Sequence, residues 1–264
     1  MPYKTPRDIV VAVNALGCAK AGLDVRRLLL LGFLAGAYIA MGGLLAVVVG
    51  TGSPAIAAAN PGLQKFIFAA VFPVGLILVV IAGAELFTGN AATCIPAALS
   101  GAISWGSVAR NWILSYVGNF VGALFVAYFL AFLSGLLLKD PWLSGIVGIA
   151  EGKTSQAFLV LLLKGIGCNW LVCLAVWLAV SAEDTGGKML GLWFPIMAFV
   201  AVGFEHSVAN MFFIPAGMFY GASVSWSQYL VGNLLPVTIG NIIGGALFVG
   251  IVYWYLYGET IHRG

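Results

Sequence analysis

The stretch Gly203-Phe204-Glu205-His206-Ser207-Val208-Ala209-Asn210-Met211 places a carboxylate beside an imidazole inside an otherwise apolar run. In hydrocarbon, charges and unpaired backbone groups are costly, so an ionisable pair at that depth marks function and a locally broken helix. A partner stretch, Ala84-Glu85-Leu86-Phe87-Thr88-Gly89-Asn90, lies about 120 residues earlier in a second apolar run.

The surroundings of both stretches fix the class. The 264 residues are 62% hydrophobic and 8% charged, with a mean hydropathy of +1.06. Soluble domains carry about 25% charged residues, so the chain reads as an all-α polytopic membrane protein. With roughly 20 apolar residues needed per crossing, six transmembrane helices are expected, packed as one bundle. The net charge of +3 is too small and too scattered for a nucleic-acid partner. Lys4, Arg7, Lys20, Arg26 and Arg27 precede the first span, which predicts cytoplasmic N- and C-termini in a cell membrane, with the lipid bilayer as a partner. No cleavable signal is read in residues 1–27. Cys18, Cys94, Cys168 and Cys173 lack metal-ligand spacing and read as small core residues.

Moving outward from the two stretches, residues 1–27 are expected to form an amphipathic cytoplasmic helix. Its start signal is Thr5-Pro6-Arg7-Asp8, its apolar face carries Ile9, Val13, Leu16 and Leu23, and it ends near Gly22. The helix serves either as an anchor or as a gate. Residues 28–264 form the channel region. Spans are expected at about 28–49, 66–103, 108–138, 157–180, 188–220 and 228–257. The second and fifth are too long for one crossing, so the second is read as broken near 85–89, with a loop folded back inside the membrane, and the fifth as broken again at 203–209. Irregular backbone at membrane depth is tolerated only where it is buried in protein or lines a cavity, and two breaks suggest one cavity.

The halves, about 28–138 and 154–257, repeat. Glu85 and Asn90 are spaced like Glu205 and Asn210; Phe72-Pro73 matches Phe194-Pro195; Gly118-Asn119 through Val126 resembles Gly240-Asn241 through Val249. Three crossings per half force the second half to enter from the opposite face, giving two inverted three-helix repeats. Such repeats with broken helices place a permeation site near the midplane.

No nucleophile, cofactor motif or metal cluster accompanies the acids, so no enzyme, cofactor or metal is expected. Glu85, Asn90 and Asn210 read as structural supports at the breaks. The ordinary pKa of a histidine lies within reach of physiological pH, which makes His206 the candidate for pairing with an anion or handing it a proton. Thr88 is the hydroxyl donor at the comparable break, its alternative role being a helix cap. Lys153 and Lys164 either raise the local anion concentration or are simply solvated.

The motifs Gly203 to Phe212, Glu85 to Asn90, Asn169 to Trp177 and Pro236 to Asn241 resemble those of the formate/nitrite transporter family, and most of all its formate channels and transporters. The resemblance implies an aquaporin-like protomer in a homopentamer, each protomer carrying its own pore for small monovalent anions. It further implies a central site of Thr88 and His206 supported by Glu205 and Asn169, with Lys153 as a vestibule lysine. Leu76, Leu86 and Val172 match the cytoplasmic constriction; Phe72 and Phe199 match the periplasmic one. Formate is the expected substrate. Nitrite or hydrosulfide through the same fold is the nearest alternative. The absence of paired Asn-Pro-Ala motifs speaks against a water or polyol channel, and a non-transporting scaffold would leave the buried Glu85, Glu205 and His206 without a role.

Overall fold

The computed structural model describes residues 3–258; His262, the second histidine of the sequence, lies outside them. The helix start at Thr5 forms as the sequence predicts. α1 spans Pro6–Ala21, with the Asp8 amide donating to Thr5 Oγ1 and the Thr5 amide donating back to the Asp8 carboxylate. There follow α2 (Val25–Thr51), α3 (Pro61–Gly83), α4 (Phe87–Leu99), α5 (Trp105–Phe132), α6 (Trp142–Thr154), α7 (Phe158–Ser181), α8 (Thr185–Val202), α9 (Ser207–Phe219) and α10 (Gln228–Tyr257), with a short turn of helix at Pro54–Ala59. No named strand occurs among the described residues; Tyr3 makes one isolated bridge to Ala182.

Six of these helices, α2, α3, α5, α7, α8 and α10, are long and apolar enough to cross a bilayer. The predicted third span differs at its end. Leu133, Leu136 and Leu138 prolong the apolar run, yet they are exposed in turns beyond Phe132, where Gly135 takes a left-handed φ of 74°. The last turns of α5, Val126–Phe132, are wide π turns.

Both predicted breaks are present. α3 ends at Gly83 and α8 at Val202, each closed by a glycine in the left-handed region, Gly83 at φ 89° and Gly203 at φ 87°. Three extended or irregular residues follow each glycine before a short helix begins. The re-entrant segments are therefore half-helices rather than loops. Residues 87–98 of α4 and 207–217 of α9 are all buried, the polar Thr88, Asn90, Ser207 and Asn210 among them.

Small residues set how closely the long helices approach. α2 packs along α5, and α7 along α10. A Cβ added at Gly122 would fall on the Phe33 carbonyl, and one at Gly244 on the Ile166 carbonyl, so only glycine admits these crossings. α1 lies against α4 as α6 lies against α9. Five helices on each side thus correspond in order, α1 to α5 with α6 to α10. Each set supplies three crossings, so the two run through the membrane in opposite senses.

Candidate permeation site

At each break the chain exposes backbone groups that no helix satisfies, and one asparagine answers them. Asn119 Oδ1 accepts from the Phe87 amide at 2.9 Å, and Asn119 Nδ2 donates to the Gly32 and Glu85 carbonyls at 2.8 and 2.9 Å. Asn241 repeats the pattern: its Oδ1 accepts from the Ser207 amide at 2.8 Å and its Nδ2 donates to Gly165 and Glu205 at 2.8 and 3.0 Å. The Glu85 amide is taken up by the Leu31 carbonyl and the Glu205 amide by that of Lys164. Buried backbone groups are thereby paired, which is the condition for irregular chain at this depth.

The two acids sit in matching networks. Glu85 accepts from Lys20 Nζ at 2.7 Å and from Asn90 Nδ2 at 2.7 Å; Asn90 also donates to Asn111 Oδ1, and Asn111 donates to the Lys20 carbonyl. Glu205 accepts from Lys153 Nζ at 2.9 Å and from Asn210 Nδ2 at 2.7 Å; Asn210 donates to Asn233 Oδ1, and Asn233 to the Lys153 carbonyl. In the sequence Lys20 reads only as one of the charges that orient the chain. Lys153 is bound to a carboxylate rather than free. Asn111 and Asn233, which sequence reasoning missed, follow Asn90 and Asn210 at comparable distances along the chain, and that spacing was the available signal. The Lys164 side chain takes no part in this network, although its carbonyl accepts from the Glu205 amide; its Nζ donates to Gln156 Oε1 at 2.6 Å.

At the centre the two halves stop matching. Thr88 Oγ1 and His206 Nε2 are 2.9 Å apart, and both side chains are buried. The Ala209 amide donates to His206 Nδ1 at 3.0 Å, so Nδ1 acts as an acceptor. In the neutral ring the proton therefore resides on Nε2 and is donated to Thr88 Oγ1, which leaves the threonine's own O–H free for a ligand. Asn169 Nδ2 donates to the Thr88 carbonyl at 3.0 Å and to that of Asn241 at 2.6 Å; Cys173 Sγ also donates to the Thr88 carbonyl. Asn169 Oδ1 is buried with no hydrogen-bond partner among the described residues. Leu86 and Val208 occupy the positions that correspond to His206 and Thr88 in the opposite halves.

Two cavities flank this centre. The one on the α1 side, about 800 Å³, is lined by Lys20, Glu85, Leu76 and Leu86. The other, about 280 Å³, is lined by Lys153, Glu205, His206, Phe72 and Phe199. Leu76, Leu86 and Val172 are buried in one apolar cluster. Phe72 and Phe199 meet edge to face with ring centroids 5.9 Å apart, and Phe199 lies nearly parallel to the His206 ring at 5.8 Å. Phe213 joins them, stacked on Phe72 at 6.3 Å with Lys153 Nζ 5.5 Å from its ring centre. Sequence reasoning missed Phe213. Its counterpart in the first half is Thr93, so the two lysines face unlike neighbours.

Residues 7–255 match the family described as "Formate/nitrite transporter". The chain is 51% identical over 273 residues to the "Probable formate transporter" of Methanothermobacter thermautotrophicus, covering 97% of each. Among solved structures, an "FNT family ion channel" superposes with a TM-score of 0.85 at 35% identity, covering 94% of this chain and 98% of that one. A "Pentameric formate channel with formate bound" gives 0.78 at 33% identity, with coverage of 89% and 98%. A repeat built on paired helix breaks, with a polar pair between two cavities and these likenesses along nearly its whole length, establishes that the chain belongs to the formate/nitrite transporter family.

Proposed function

We propose that the protein passes small monovalent anions, formate first among them, through a pore within each protomer of a homopentamer whose termini face the cytoplasm. The observation that carries this reading is the Thr88–His206 pair set between two cavities. Formate and the pentamer are further supported by the relative named a probable formate transporter and by the pentameric channel with formate bound.

An anion entering either cavity meets a lysine–glutamate pair and then an apolar ring. Leu76, Leu86 and Val172 form the ring on the α1 side; Phe72 and Phe199 form the other. Stripping a carboxylate of water is costly, and the compensating donor at the centre is the Thr88 hydroxyl. Glu205 and Asn169 hold the site in place: Glu205 fixes the network behind His206, and Asn169 ties the Thr88 backbone to α10. A proton can also be delivered. His206 Nδ1 takes one from a hydronium ion in the adjoining cavity, leaving water; Nε2 releases its own to Thr88 Oγ1, and the hydroxyl proton passes to the anion, which leaves as the neutral acid. That route breaks the Ala209 bond to Nδ1, so proton delivery is coupled to loss of the α9 cap.

The test is flux of formate, nitrite and hydrosulfide into proteoliposomes across a pH series. Formate uptake that rises as pH falls, with weaker competition by the other two, is the expected result. Absence of flux for all three would end the transport reading, and preference for nitrite or hydrosulfide would reassign the substrate.

A further inference from the structure

We infer that Lys188 and Lys65, rather than the carboxylate-paired Lys20 and Lys153, recruit the anion to the two mouths of the pore, an assignment that rests on the transport reading above. Both lysines line the cavities, Lys188 on the α1 side and Lys65 on the opposite side. Neither forms an ion pair among the described residues, whereas the other lysine of each cavity lies within 2.7 or 2.9 Å of a carboxylate.

The distinction matters because of how fields decay. An ion pair presents a dipole, whose potential falls off faster than that of a single charge, and salt screens what remains beyond about 8 Å at physiological ionic strength. Within the α1-side cavity Lys20 and Glu85 cancel, and the unbalanced positive charge is that of Lys188. Within the other, Lys153 and Glu205 cancel and Lys65 remains. The nearest acid in sequence to Lys188, Asp184, accepts instead from the Gly187 amide at 2.8 Å as the cap of α8. Lys188 is half-buried at its cavity wall and Lys65 is exposed at the rim of the other. Each can therefore meet a hydrated anion before the constriction removes its water.

Charge reversal by chemical modification tests this directly. In a Cys18→Ala background, where the remaining cysteines are buried, formate uptake into proteoliposomes is measured for Lys188→Cys and Lys65→Cys. Each substitution is expected to raise the KM about threefold or more while retaining the maximal rate. The dependence of initial rate on ionic strength should weaken in parallel. A trimethylammonium-bearing thiol reagent should restore the KM, and a sulfonate-bearing one should raise it further. An unchanged KM in both variants overturns the assignment. So does a KM change that the positive and negative reagents affect alike, because the effect is then one of shape. Lack of uptake by the unsubstituted chain would instead overturn the transport reading, so the two failures are distinguishable.

Discussion

Lys153 Nζ lies 2.9 Å from Glu205 Oε2, one residue before the histidine that faces Thr88, so the charge nearest the central site is an internally balanced pair. Removing one member strands the other. Lys153→Met is expected to lower stability by about 2–4 kcal/mol, less than a fully enclosed pair because the lysine keeps 18% of its side-chain surface. Glu205→Gln, which still accepts from Asn210, should cost less, and Lys153→Met/Glu205→Gln should recover part of the loss. Thermal unfolding in detergent across this cycle measures the coupling.

Thr88→Val keeps the shape of the side chain and deletes both its donor and its acceptor. His206 Nε2–H then loses its partner, costing about 1–3 kcal/mol, and the anion loses the free hydroxyl. Formate flux should fall at least about tenfold, with Thr88→Ser retaining most of it. Equal flux in Thr88→Val and the parent would remove the hydroxyl from the pathway.

His206→Asn replaces the imidazole with an amide that offers no titration near neutral pH. Uptake that depends on proton delivery should lose its rise toward low pH, while direct passage of the anion persists. Initial rates between acidic and neutral pH separate the two; an unaltered profile would exclude the imidazole as the proton carrier.

Phe199→Ala opens the ring formed with Phe72 and removes the surface beside His206. Leak of ions larger than formate is expected to rise. Phe213→Thr, which installs the residue found at the corresponding place in the first half, should widen the same passage and remove the aromatic face beside Lys153. Conductance in planar bilayers reads both.

Asn241→Leu removes the acceptor for the Ser207 amide and the donor to two carbonyls. The expected loss is about 2–4 kcal/mol, from several buried groups left unpaired. Assembly should suffer before selectivity does. Gel filtration of the solubilised protein, alongside Asn119→Leu, compares the two breaks.

Much of this was legible in the sequence because membrane burial makes polar residues conspicuous. Glu85, Asn90, Glu205 and Asn210 stood out against apolar neighbours at one spacing, and the structure brings each acid to its amide as that spacing suggests. The residues themselves mark His206 and Thr88 only as separate candidates at the two breaks; their pairing comes from the resemblance of the motifs, and the structure brings them to 2.9 Å. What stayed hidden depends on contacts between distant elements. Lys20 lies on the amphipathic helix and reads as one basic residue among several until α1 folds against α4. Phe213 is one aromatic residue in an apolar helix, and only the packing of α9 against α6 brings it to Lys153. The end of α5 was misjudged because composition continues across residues 133–138 where the backbone does not.

The hydrogen bonds that shape each break stay within their own set of five helices: Asn119 and Asn111 serve the first, Asn241 and Asn233 the second. Beside the central pair, Thr88 receives His206 at its hydroxyl and Asn169 and Cys173 at its carbonyl, while Tyr116–Thr238, Trp193–Ala70 and Tyr220–Ala131 hydrogen bonds join the halves elsewhere. Each half therefore shapes its own break, and the asymmetric pair lies at the seam between the two. A duplicated gene could keep the asparagine scaffolding of both breaks intact while its two copies diverged at the residues between them, acquiring chemistry without rebuilding the architecture.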